Sequence, residues 1–199
     1  QELVASLSSL ARGAEGIDKA TLTNASPLPI HFNPRPTGRS TPVVSASVFQ
    51  TQPAPPVARP RQLETVAFWP VTHLAHLIKT RQVRSTELTT MYLDRLKRYN
   101  GQINCVAALT EERAMAEAAA ADKDIAAGKY RGTLHGIPYG VKDIIAAKGY
   151  PTRWGAAPLA DQTFADDATV VERLRGAGAV LVAKLSTGEL AFGDQWSGG

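Results

Sequence analysis

Disulfide chemistry is absent from this chain. Its 199 residues include one cysteine, Cys105, and a single thiol cannot bridge within a chain. Cys105 sits in the apolar run Ile103-Asn-Cys-Val-Ala107 with no basic neighbour to lower its pKa, which reads as a small core residue rather than a nucleophile. No apolar run reaches the roughly 18 residues needed to span a bilayer. Nor is there a block of five or six basic residues. The formal charge of +4 and pI near 9.3 come from scattered side chains, a pattern that predicts a solvated surface and no nucleic-acid partner. The chain opens at Gln1 without a charged n-region and apolar h-region, so a secretory leader is not in this stretch. The missing initiator methionine raises the expectation of a fragment or a processed chain. No residue pattern assigns a compartment: the cytoplasm is the working expectation, and export stays open if a leader precedes Gln1.

What is present is the composition of a globular protein, 44% hydrophobic and 20% charged. It is unevenly laid out. Nine of the 13 prolines fall between Pro27 and Pro60, where each removes a backbone donor and biases its predecessor toward extended geometry. Residues 1–63 are therefore expected to be a proline-rich N-terminal arm or linker, and residues 64–199 a compact α/β unit, a layered sheet flanked by helices. Within that unit Val71 to Lys79 predicts a short helix. A longer helix comes next, capped by Ser85 with Glu87 in its first turn, carrying an apolar stripe of Leu88, Tyr92, Leu96 and Tyr99 and ending at Asn100-Gly101. Ile103 to Leu109 reads as a strand. The alanine-rich stretch from Thr110 to Lys129 reads as a helix with Ala114, Ala118, Ala121 and Ile125 on one face. Ile137 to Val141 is a second strand. Asp167 is expected to cap a helix that stops at Gly176-Ala-Gly178, and residues 179–185 then form a strand covered on both faces.

Most polar residues that invite a chemical role have a plainer explanation. His73 and His76 lie three apart on a predicted helix, yet no third ligand comes at metal-site spacing, so they read as surface or half-buried histidines. His31 has no nameable partner, and His135, before Gly136, predicts a structural hydrogen bond. Gly132, Gly136 and Gly140 do not have phosphate-loop spacing. Ser197, in Trp196-Ser-Gly-Gly199, lacks the frame of a nucleophile elbow. Lys129 and Lys148 flank turns, and Lys184 ends the predicted buried strand as a polar anchor. Lys142 stands out, because it interrupts the apolar residues Val141, Ile144 and Ile145 and precedes Asp143. A buried ammonium loses pKa, and a neutral amine near pH 7 can take the proton of a serine hydroxyl. On spacing alone, a lysine that reaches water or pairs with Asp143 for structural reasons is favoured over that role.

Ordered motifs narrow the choice. "LHGIPYGVKDIIAAKGYPTRWGAA", followed by "DDATVVERLRGAGAVLVAKLSTGELAFG", resembles the amidase signature family of serine hydrolases. The Gly-Ile-Pro-to-Lys-Asp run occurs at 135–143, the Asp-to-Leu helix at 167–174, Gly-Ala-to-Lys at 178–184, and the Glu-Leu pair at 189–190. The upstream "VRSTELTTMYLDRLKRYNGQINCVAAL" is similar to the family's opening helix and strand, so the resemblance covers about residues 66–199. It implies that Lys142 is the catalytic lysine of a Ser-cisSer-Lys triad. The lysine and a bridging serine would shuttle the proton, a second serine would attack a carboxylic amide, and water would resolve the acyl-enzyme. Backbone N–H groups of a glycine-rich loop would hold the oxyanion, worth about 3–4 kcal/mol per donor. No metal, no organic cofactor and a small-molecule amide substrate are implied, with a homodimer possible. The family's Gly-Gly-Ser-Ser-Gly-Gly run has no counterpart before Gly199. The expectation is therefore the N-terminal portion of an amidase, inert and poorly stable by itself. Residues near Trp154 and Gln195-Trp196 depart from the A-type component of the glutamine-dependent aminoacyl-tRNA amidotransferase. That component, or a non-catalytic member, is the alternative.

Overall fold

The computed structural model describes residues 56–192, together with the isolated helical positions Ser8 and Arg12. The chain divides into a unit of residues 1–51 and a unit of residues 52–199. The second unit holds all the strands and the helices named below. His31, Ser197 and nearly all of the proline-rich arm lie outside the described residues.

The second unit begins with the end of the proline-rich stretch fastened to the first helices. Val57 packs on the first core cluster. The Arg59 backbone N–H donates to Gln82 Oε1 at 2.9 Å, and its guanidinium meets Glu87 at 2.9 Å. A 3-10 segment Leu63–Phe68 leads to α1 (Val71–Lys79), whose Leu74, Ala75, Leu77 and Ile78 recur at helical spacing and are buried. Next come α2 (Ser85–Ile103), β1 (Val106–Leu109), α3 (Glu111–Ala126), β2 (Pro138–Lys142), α4 (Thr169–Gly176) and β3 (Val180–Leu185). The architecture is α/β, as expected: helices against a small mixed sheet.

The sheet order is β1-β3-β2. β3 is central, antiparallel to β1 and parallel to β2, and all but its last residue are buried. That placement explains its continuous apolar run. Its register against β2 slips between Tyr139 and Gly140, so Leu181 faces Tyr139 while Ala183 faces Gly140. Where this bulge interrupts the ladder, α3 and the residue before it supply substitutes. Glu117 Oε2 accepts the Leu181 N–H at 3.0 Å, and the Thr110 hydroxyl donates to the Leu181 carbonyl at 2.6 Å. Buried peptide groups stay paired in this way despite the irregularity.

α3 buries Ala114, Ala118, Ala121 and Ile125, the predicted face. Two of these small side chains, Ala114 and Ala118, pack with Leu93 of α2 against Val180, Val182 and Ala183. Val141, Leu181, Val171 and Ala147 form a separate cluster with α4.

Several local expectations are corrected. Ser85 is the first residue of α2 and not its cap, because its hydroxyl is drawn away to the Gly136 carbonyl at 2.8 Å. The start of α2 is closed instead by the Glu87 carboxylate reaching back to the Arg84 N–H at 2.9 Å, and by Asp122 of α3, which accepts the Ser85 and Thr86 N–H groups at 2.6 and 3.1 Å. α2 continues past Gly101 to Ile103, ending where Asn104 turns left-handed (φ 48°), so β1 starts only at Val106. Tyr99 is not in the buried stripe; it lies outside, beneath the guanidinium groups of Arg95 and Arg98. Asp167 does not cap α4, whose N-cap is Ala168. Its carboxylate instead takes both Arg113 Nη groups at 2.9 and 3.0 Å, Arg175 Nη1 at 2.8 Å and the Lys148 N–H at 2.8 Å.

Candidate active site

The parallel register of β2 and β3 sorts the two candidate lysines to opposite faces. Lys142 stands opposite Leu185, and Val141 opposite Lys184. Because side chains alternate along a strand, Lys184 lies on the Val141 side and Lys142 on the other, at the C-terminal end of β2. Lys142 is exposed, whereas Lys184 is 0% exposed. The burial argument applied in sequence to Lys142 therefore describes Lys184, the largest fully buried side chain among the described residues.

Lys184 meets three oxygens. Nζ lies 2.7 Å from Asp143 Oδ1 as an ion pair, and donates to Thr152 Oγ1 at 2.8 Å and the Pro151 carbonyl at 3.0 Å. Two of the three ammonium donors make hydrogen bonds, and the Asp143 carboxylate supplies the counter-charge as a close ion pair. Burial lowers its pKa from the ordinary value and the Asp143 carboxylate opposes that change. A contact of this length to a buried carboxylate favours the charged form.

Asp143, 2% exposed, is held on every side. Its N–H donates to the Leu185 carbonyl at 2.7 Å, Oδ2 accepts the Arg153 N–H at 2.9 Å, and its carbonyl accepts the Trp154 N–H at 3.2 Å. Arg153 is clamped in turn, donating Nη1 to the Ala107 carbonyl at 2.8 Å and Nε to the Ala160 carbonyl at 3.0 Å. The Lys142 carbonyl accepts the Ile145 N–H at 2.9 Å, which closes the turn after the strand.

Backbone strain gathers next to this cluster. Trp154 (φ 53°), Leu190 (φ 50°) and Ala191 (φ 62°) all adopt the left-handed region without being glycine, a costly state that surroundings must enforce. The Leu190 N–H donates to the Trp154 carbonyl at 2.7 Å. Gly155 is required there: a Cβ would lie 2.3 Å from the Thr187 carbonyl oxygen. Asp143, Trp154 and Leu190 thus form a hydrogen-bonded chain from the end of β2 to the segment after β3.

The remaining candidates are placed elsewhere. His135 is fully buried, stacked on Tyr130, with Nδ1 accepting the Arg131 N–H at 3.0 Å. Burial lowers its pKa and Arg131 adds to the effect, as befits the structural role expected for it. His73 and His76 are half-buried on α1. Among the described residues no group of three or more His, Cys, Asp or Glu side chains is disposed to hold a metal ion. Cys105 is half-buried. A groove of about 470 Å³ lined by Glu64, Arg84, Glu87, Asp94 and Arg98 involves none of the residues around Lys142, and most of its charges are taken up in ion pairs. No described helix is long and apolar enough to cross a membrane.

Sequence reasoning missed the pairing of Lys184 with Asp143 and Thr152. A lysine inside an unbroken apolar run was the available signal, because such a charge requires a counter-ion.

Comparison with known proteins agrees with the motifs. The amidase family profile matches residues 87–197. The chain belongs to the amidase (amidase signature) family. It is 47% identical over 122 residues to a putative amidase, AmiD, of Mycobacterium tuberculosis, the match covering 61% of this chain and 26% of that one. It is 43% identical over 124 residues to the A-type component of the glutamyl-tRNA(Gln) amidotransferase of Azoarcus sp., covering 62% and 25%. The crystal structure of the native peptide amidase from Stenotrophomonas maltophilia superposes with a TM-score of 0.60 at 35% identity, covering 63% of this chain and 26% of that one. The match spans about a quarter of the length of these relatives.

Proposed function

We propose that the protein carrying this chain hydrolyses the C–N bond of a carboxylic amide, with Lys142 as general base and then general acid. The observation that carries the reading is the position of Lys142. It stands exposed at the end of β2, inside the family match, on a backbone pinned through Asp143. The deprotonated amine takes the proton of a serine hydroxyl through a bridging serine. The serine oxygen attacks the amide carbonyl carbon, and the C–N bond breaks as the proton passes to the departing nitrogen. Water then attacks the acyl ester, losing its proton along the same path, and releases the acid and the free serine. No described residue is assigned as either serine. On this proposal both belong to the glycine/serine-rich stretch of the full-length protein, and residues 1–199 alone are inert.

The test uses the full-length protein and a panel of small primary carboxamides and acyl anilides. Lys142→Ala is expected to abolish hydrolysis while the circular dichroism spectrum is retained. Undiminished activity in that variant overturns the assignment. The identity to an amidotransferase component favours a second reading, in which glutamine is the amide and partner chains are needed. Release of ammonia from simple amides without partners decides against it.

A further inference from the structure

Lys142 is exposed, and its four-carbon stem has many rotamers, yet a proton shuttle needs its amine in one place. The next residue in the chain has unusual restraint. Asp143 uses its N–H, its carbonyl and both carboxylate oxygens, and the four partners come from β3 (Leu185 and Lys184) and from the 151–156 loop (Arg153 and Trp154). Lys184 is locked to the same loop through Pro151 and Thr152. On the opposite face Leu185 covers Gly140, where a Cβ would come within 3.0 Å of the leucine side chain, and Leu185 is also the strand neighbour of Lys142. A buried ion pair is seldom kept for stability alone, since apolar residues of the same volume do as well or better.

We propose that the buried Asp143–Lys184 pair is a positioning device for the reacting lysine, fixing the backbone from which Lys142 projects and, through Trp154 and Leu190, the segment after β3. The inference rests on the catalytic reading of Lys142. Neither Asp143 nor Lys184 touches substrate. They act by holding the turn: the salt link joins β3 to the residue after Lys142, on the face away from the Lys142 side chain.

The test removes the charges without stranding either. In the full-length enzyme, the paired substitution Asp143→Asn with Lys184→Met leaves no unpaired buried ion. Thermal unfolding, kcat, KM and the pH dependence of kcat are measured with a hydrolysed carboxamide from the panel. The expected result is a folded protein with kcat lowered about 10²-fold, the scale of a misplacement near 1 Å, KM within about twofold, and a displaced acidic limb of the kcat profile, the limb on which a general base gains its proton. A merely structural pair would move the melting temperature and leave that limb in place. A folded double variant with unchanged kcat and limb overturns the proposal and leaves Lys142 untouched. Should the double variant fail to fold, Thr152→Val, which deletes one acceptor of Lys184 at constant shape, is expected to lower kcat and shift the limb in the same direction; no change in either overturns the proposal. Retained hydrolysis in Lys142→Ala is the separate outcome in which the catalytic reading itself fails, and the positioning role with it.

Discussion

Lys184 holds its charge where water does not reach, and its stability therefore depends on a single carboxylate. Removing Asp143 leaves the ammonium with a carbonyl and a hydroxyl but no counter-charge. Asp143→Ala is expected to lower unfolding free energy by about 3–5 kcal/mol in urea titrations, the cost of breaking a buried pair from one side. The double variant with Lys184→Met should recover most of it, and a single variant as stable as wild type would show that the pair is not buried in solution. A second contrast lies in two glycines with nearly the same backbone. Gly128 (φ 79°) has open space around it, whereas a Cβ on Gly178 (φ 83°) would fall 2.3 Å from His135 Cδ2. Gly128→Ala carries only the left-handed cost of about 1–2 kcal/mol. Gly178→Ala adds overpacking and is expected to lose about 2–5 kcal/mol. Equal losses, read from chemical denaturation, would mean that His135 is free to move aside.

At the scale of elements, what periodicity dictates was legible and what distant partners dictate was not. The buried alanines of α3 and the continuous run of β3 announce themselves because each depends only on its own spacing. Ser85 and Asp167 look like caps for the same local reason, a polar residue at a helix start. Both are claimed by groups far along the chain, the Gly136 carbonyl and the guanidinium groups of Arg113 and Arg175. The catalytic candidate Lys142 was legible from ordered motifs, while the Asp143–Lys184 contact depends on the parallel pairing of β2 with β3 and on the bulge that sets its register. Asp167 gives the element-scale prediction. Burial alone would raise its pKa, but the Arg113 hydrogen bonds, the Lys148 N–H and the Arg175 charge together hold it below its ordinary 3.8. The folded state therefore binds this proton less readily than the unfolded one. The stabilisation is present above about pH 4 and is lost as pH falls through the lowered value. Asp167→Asn should be less stable than wild type at pH 7, with the gap closing below about pH 4. A gap constant with pH would show that the carboxylate is not the group joining α3, α4 and the Lys148 loop.

For the whole molecule the question is what residues 1–199 can do by themselves. Two of the three strands in the described sheet are edges, β1 and β2, and an edge strand is a template for further strands. Phe68 is 89% exposed and Phe192 88%, with Leu190 and Ile103 also largely in water. These features suit a unit that is covered by more protein, and the match to only about a quarter of its relatives' length agrees. The 199-residue chain, expressed alone, is expected to hydrolyse no carboxamide, to bind the dye ANS, and to self-associate as concentration rises in sedimentation velocity. Its scattered positive charge is not expected to retain duplex DNA at about 150 mM salt, where a basic stripe would still bind. The full-length protein should bind little ANS and show activity that depends on Lys142. A chain that stays monomeric, dye-silent and inactive would mean that these edges and phenylalanines are already covered by its own residues. A chain that hydrolyses amides by itself would place the serine nucleophile within these residues and overturn the assignment of both serines to a further segment.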